Sequence, residues 1–341
     1  MSKACLSHTT EEKVISQMII GQSVSEPELQ TFTEKRIGEM IEVLAKARAG
    51  NPLERRMTRD EAREYTVLDP DFDPKGAWFA IVDGEVAGFC SALVERTRIE
   101  AGKDDAWVDI DIVPEHERID VAQALLNQAF GYLSSRNVGK AMTRSLASDE
   151  KRKTFLKSNS FEEEHRIYTL VRRGRDEVNV VVAPAPNRIV RWELPDCSDS
   201  RLQAITEAFN DSFKDHMNFA PELPERFQNL RDCNDDPHVL TVALDEDVIT
   251  GFALSEYSEE YNRLKGANVG WVNVLGVRPQ YRRTGLGRAL LADSIRWILE
   301  AGASNVYLGV FAKNEKALSL YWSFGFEKER ENIIFARSLK G

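Results

Sequence analysis

The sequence is short of the features that mark several classes of protein. It has 4 cysteines in 341 residues, Cys5, Cys90, Cys197 and Cys233, and they lie far apart. None forms a C-x-x-C pair, so neither a zinc cluster nor a disulfide scaffold is expected, and a reducing cytoplasm is the compartment that fits. No apolar run approaches the roughly 18 residues of a membrane helix. The opening MSKACLSHTTEEKVISQMII lacks a basic segment followed by an apolar stretch of signal-peptide length, so neither export nor a membrane span is expected. Positive charge is also scarce: 45 Lys and Arg stand against 55 Asp and Glu, a formal net charge of −10. Binding to a phosphate backbone needs a basic face, and nucleic acid is therefore not an expected partner. A metal is not expected either, since His216 has no second ligand at suitable spacing.

What is present is an ordinary globular composition, 42% hydrophobic and 29% charged, over a length that favours two domains. The chain also repeats itself. FAIVDGEVAGFCSALV (79–94) and LTVALDEDVITGFALSEY (240–257) each read as an apolar strand, an acidic turn and a second strand carrying Gly-Phe. WVDIDIVPEHERIDVAQALL (107–126) aligns with WVNVLGVRPQYRRTGLGRALL (271–291), and both Pro114 to Pro279 and Phe161 to Phe326 keep an offset of 165 residues. A constant offset across separated blocks indicates a duplicated α/β unit. The boundaries this suggests are 1–180 and 188–341, joined near RRGRDEVNVVVAPAPNR (172–188). The Ala-Pro-Ala-Pro step suits an extended connector, although VNVVV could equally be a strand.

In the second unit GWVNVLGV reads as a strand stopped by Pro279, and a helix is expected from about Gly285 to Ala301, presenting Leu291, Ile295 and Ile298 on one face. Gly302 stands where a helix C-terminal cap belongs. NVYLGVF is a further strand, and Asn314 can cap a short helix whose Ala317, Leu320, Tyr321 and Phe324 share a face. Between Pro279 and the first helix, a strand enters a helix through glycines and leaves backbone N–H groups unpaired at its positive end, an arrangement that receives phosphate. Gly285 and Gly287 remove Cβ atoms from that approach, and Arg282, Arg283 and Arg288 supply positive charge. The pattern is neither G-x-x-x-x-G-K-[ST] nor G-x-G-x-x-G, so nucleoside-triphosphate and Rossmann readings are weak.

Arg282, Gly285 and Gly287 form R-x-x-G-x-G after a strand, and Asn314, Ala317, Tyr321, Gly325 and Phe326 form N-x-x-A-x-x-x-Y-x-x-x-G-F about thirty residues on. Together these resemble the two signature blocks of the GNAT superfamily of N-acetyltransferases. The resemblance implies an α/β (α+β) fold of two tandem GNAT-like domains, each a mixed central sheet flanked by helices. It implies acetyl-CoA as cosubstrate, with its pyrophosphate on the N–H groups of Arg283, Thr284, Gly285, Leu286, Gly287 and Arg288. The pantetheine would run along residues 272–277, including Leu275, Gly276 and Val277, with Asn314, Ala317 and Tyr321 close by.

The resemblance further implies direct attack by an uncharged amine. Backbone N–H groups near Leu275 and Gly276 could meet the developing oxyanion, and Tyr321, protonated at neutral pH, is the candidate acid toward the departing sulfur. The base is less defined: the preceding strand offers Trp271 and Asn273, neither basic, and Glu256 is the nearest alternative, with Asp211, Asp215 and His216 in a substrate-side loop. In the first half Glu117, Asp120, Ala122 and Leu156 stand for Arg282, Gly285, Gly287 and Tyr321, so that half has the fold without the acetyl-donor chemistry. A tandem with its active site in the second half is similar to the mycothiol synthases, which acetylate the cysteinyl amine of a sugar thiol. Trp271 departs from the acidic residue expected there. The expected acceptor is the amine of a small molecule; a peptide amine, or a noncatalytic acyl-CoA sensor, are the other readings, and oligomeric state is not legible.

Overall fold

The computed structural model describes residues 25–50, 56–176, 178–216, 219–233 and 238–340. Cys5 and the opening segment read above lie outside the described residues.

Both expected hairpins form. In the first, β2 (Ala77–Val82) turns into β3 (Glu85–Leu93) through Asp83 and Gly84. Both turn residues have positive φ, 53° and 84°, the mirror-image turn that matches strand twist and that Asp-Gly adopts readily. In the second, β8 (His238–Asp245) turns into β9 (Val248–Glu256). The first half adds β1 (Glu28–Thr31), α1 (Ile37–Ala47), α2 (Arg59–Glu64), α3 (Arg96–Glu100), β4 (Asp105–Ile112), α4 (Ile119–Ser135), β5 (Lys140–Leu146), α5 (Glu150–Ser158) and β6 (Glu162–Arg173). The second runs β7 (Arg188–Glu193), α6 (Asp199–Phe213), α7 (Pro224–Cys233), β8, β9, α8 (Glu259–Lys265), β10 (Val269–Val277), α9 (Leu286–Glu300), β11 (Asn305–Phe311), α10 (Glu315–Trp322) and β12 (Glu327–Ser338). VNVVV belongs to no strand: β7 starts only at Arg188.

The twelve strands of the described residues make one mixed sheet in the order β1-β2-β3-β4-β5-β12-β6-β11-β10-β9-β8-β7. Among them only β4–β5 and β10–β11 are parallel. The centre of this order shows that the halves exchange their last strands. β6, from the first half, pairs along the whole of β11, and β12, from the second, pairs along the whole of β5. β6 and β12 also pair with each other.

Helices cover both faces. α9 starts where Gly285 takes φ 99° and is followed by Gly302 at φ 119°. Its Leu291, Ile295 and Ile298 are fully buried against β10 and β11, each contributing about 2 kcal/mol by transfer from water. α4 does the same for the first half with Val121, Leu125, Ala129 and Leu133. α6 packs on the opposite face of the second half, beneath Leu240, Val242 and Phe252. No helix among the described residues is long and apolar enough to cross a membrane.

Candidate active site

The parallel strands β10 and β11 pair only from Val269 to Val272, opposite Asn305 to Leu308. Beyond this point they splay: residues 274–277 pair with β9 alone, and residues 309–311 with β6 alone. The fork coincides with a β-bulge at Asn273, the residue skipped between the pairs Val272–Ser255 and Val274–Leu254. A bulge adds twist and re-aims a strand, which turns β10 away from its neighbour. Amides alternate between the two edges of a strand and Arg278 donates to the Thr250 carbonyl of β9, so Leu275 and Val277 turn their amides toward the opened groove while Gly276, expected to share that duty, turns its amide toward β9. Gly276 is glycine for packing: a Cβ there would meet Phe252 at 3.0 Å and Phe213 and Ser212 at 3.2 Å. Val277 closes the strand and packs with Leu286 and Leu290.

Past Val277 comes the glycine loop. Arg283 and Gly285 have positive φ, 64° and 99°. Among the described residues no acceptor is bonded to the N–H groups of residues 283 to 287, whereas those of Arg288 and Ala289 both reach the Gly285 carbonyl at 3.1 Å. Five consecutive free donors at a helix start form a ready anion cradle. Gly287 is no packing requirement, because a Cβ there would find Val277 at 3.6 Å and Leu320 at 3.9 Å, ordinary contacts, while at Gly285 it would meet open space. A missing side chain that the protein does not need for packing leaves room for a ligand, and the loop fits a diphosphate on this ground.

The arginines divide their duties. Arg282 donates to the Val277 carbonyl (3.1 Å), the Ser212 carbonyl (2.7 Å) and Asp215 (3.4 Å), so its guanidinium fastens the loop to the end of α6. Arg288 bonds the Ser323 hydroxyl at 2.7 Å and lies over the Phe324 ring. Arg283 is exposed. The Thr284 hydroxyl donates to the Tyr281 carbonyl, and the Leu286 side chain is core, leaving the backbone of both to the loop.

Asn314 caps α10, its side-chain oxygen accepting from the Ala317 N–H at 3.2 Å. Tyr321, one turn on, is 8% exposed and packs edge-on to Phe326. Burial pushes its phenol up to about 12, so it holds its proton throughout the neutral range. On the other face, Glu256 accepts from the Asn273 amide at 2.9 Å and lies 3.7 Å from the buried His238. It lines a cavity of about 220 Å³ with Trp271 and Asn273. The bulge thus brings the Glu256 carboxylate to the fork, although the fork's own strand has no acid. Asp211 and Asp215 are tied to Lys214 and Arg282. His216 lies at a second cavity, of about 240 Å³, between the halves, with its pKa lowered by burial and then by Arg282. Glu95 and Asp71 of the first half line that cavity too, and the sequence offered no signal for either, because neither falls in a motif or a repeat match.

The first half has the same fork, with β4 and β5 pairing only from Asp105 to Trp107, but its groove is filled. Arg152 of α5 donates to the Ile110 carbonyl on β4 at 2.7 Å, and to the Arg144 carbonyl and Thr143 hydroxyl on β5 at 2.8 and 3.3 Å. The 165-residue offset places Ala317 at this position in the second half. The start of α4 carries charge of the opposite sign: the Asp120 carboxylate, in the helix's first turn, is held below its usual range by its hydrogen bond from Arg118.

A forked parallel pair leading into a helix, present twice and opened by glycines in the second half, defines a tandem acyltransferase fold. The acetyltransferase (GNAT) family model matches residues 44–158 and 202–326, and the chain belongs to this family. Among its relatives, a mycothiol acetyltransferase of Saccharomonospora viridis is 29% identical over 251 residues, covering 73% of this chain and 70% of that protein. Another, of Nocardiopsis dassonvillei, is 41% identical over 71 residues, 21% of this chain and only 22% of its own length. A tandem GNAT protein from the clavulanic acid biosynthesis pathway, solved without AcCoA, shares the fold: TM-score 0.72 at 15% identity, over 93% of this chain and 99% of that one.

Proposed function

We propose that the chain transfers the acetyl group of acetyl-CoA to a primary amine of a small molecule, by direct attack, in its second half. The observation that carries this reading is the pairing of an open β10–β11 groove with the free N–H row of residues 283 to 287. When bound, acetyl-CoA supplies a thioester carbon open to a nitrogen nucleophile and a sulfur able to leave. The chain's residues do the rest. The Leu275 amide faces the groove as an oxyanion donor, the Tyr321 phenol delivers a proton to sulfur, and Glu256, steadied by Asn273, takes the proton the amine loses. Asn314 and Ala317 keep the wall by Tyr321 in place, the alanine leaving the groove unfilled.

Acetylation of a cysteinyl sugar amine is a second reading, favoured by the likeness to mycothiol acetyltransferases, and Trp271 weighs against it. An amine screen followed by release of free coenzyme thiol tests the proposal. Tyr321→Phe is expected to lower turnover by about 100-fold while acetyl-CoA still binds. Thiol release unchanged by that substitution would remove Tyr321 from the chemistry, and acetyl-CoA binding without turnover of any amine would favour a sensor.

A further inference from the structure

The cavity between the halves is asymmetric. Toward the groove its walls are aromatic: Phe213 lies against Gly276, in the splayed part of β10, and Phe311 is the last residue of β11. His216 bridges them, its ring 5.8 Å from Phe213 and 5.6 Å from Phe311. Away from the groove the walls carry three carboxylates against two guanidinium groups: Glu95 and Asp71 come from the first half and Glu222 from the lead-in to α7, with Arg98 and Arg226 also in the lining.

These acids exceed the positive charge available to them. Arg98 is committed to Asp105, at 2.7 Å with both side chains buried, and reaches Glu95 only at 3.5 Å. Arg226 lies 3.2 Å from Glu222 but its side chain is 71% exposed, where pairing is weak. Asp71 is paired with the exposed Arg96 at 2.7 Å. Burial pushes both Glu95 and Glu222 up from the ordinary carboxylate value; Arg98 and Arg226 oppose this at Glu95, Arg226 opposes it at Glu222, and the neighbouring acids raise both further. A cation entering here would relieve that strain.

We propose that this cavity selects an acceptor carrying a second, nonreacting cationic group: Glu95 and Glu222 hold that cation, an apolar spacer passes between Phe213 and Phe311, and the reacting amine reaches the groove. The class is an alkyl diamine or an amine of similar form. The first half, its own groove filled, would then serve as half of the acceptor site. The inference rests on the acetyl-transfer reading.

The test compares 1,4-diaminobutane with n-butylamine, which differ only in the distal charge. Wild-type kcat/KM is expected to favour the diamine by about tenfold or more. Glu95→Gln and Glu222→Gln should each shrink that ratio by raising KM for the diamine, with kcat and acetyl-CoA affinity retained. Equal use of the two amines by the wild type, or a ratio unchanged in both variants, overturns the proposal. If neither amine is acetylated, calorimetric titration separates the two ideas. Diamine binding that weakens in Glu95→Gln keeps the cation site and counts against transfer to such amines, whereas no diamine binding removes the site.

Discussion

Arg152 and Ala317 hold equivalent places in the repeat, and their side chains decide what each groove contains. The guanidinium meets acceptors on both strands of the first fork, and the methyl group meets none. Charged hydrogen bonds to partly buried carbonyls are worth about 2 kcal/mol in total once solvent competition is counted. Arg152→Ala is therefore expected to lower the melting temperature, read by calorimetry, while thiol release at temperatures well below melting stays at the wild-type rate, since the second groove is untouched. A variant as stable as the wild type would show that Arg152 only covers the groove. Tyr321 illustrates a side chain with two compatible duties: it packs the core of the second half, and that burial extends to higher pH the range over which the phenol keeps its proton.

At the scale of elements, α4 and α9 are the same helix with opposite beginnings. α9 opens through left-handed residues and leaves five donors free. α4 opens through Arg118 and Ile119, with the Asp120 carboxylate in its first turn. A carboxylate at that position repels an incoming diphosphate. Titration calorimetry should thus find one acetyl-CoA per chain, and Gly285→Glu, which puts both a Cβ at φ 99° and a negative charge into the loop, should abolish it. A stoichiometry of two would refute the account of the first half.

The whole molecule is tied together by exchanged strands. β11, one wall of the groove, depends on β6, which is translated before the second half begins. A polypeptide of residues 188–341 would expose the β6-facing edge of β11 and leave β12 without β5 or β6. Unpaired strand edges of this kind invite aggregation and forfeit ladder hydrogen bonds. Such a fragment is expected to show no cooperative melting and no acetyl-CoA binding, with both recovered when residues 162–173 are supplied; a well-folded, binding fragment would show the exchange to be dispensable.

Much of this protein could be read from order along the chain. Hairpin turns, the cap at Asn314, the glycine at the start of α9 and the 165-residue offset are local or periodic, and local backbone preference is written in neighbouring residues. Amino-acid order also determined that the second half, with Gly285, Gly287 and Tyr321, keeps the features that the first half replaces with Asp120, Ala122 and Leu156. Only tertiary structure decided which neighbours each closing strand takes within the sheet, because β6 and β12 hold equivalent places in the repeat and strand propensity does not choose between β5 and β11 as a partner. It also decided that Arg152 lies in a groove, that Glu256 reaches the fork through Asn273, and that Glu95 faces Glu222 across 127 positions of chain. Such contacts follow from the path of the backbone in space, and no spacing rule along the sequence encodes them.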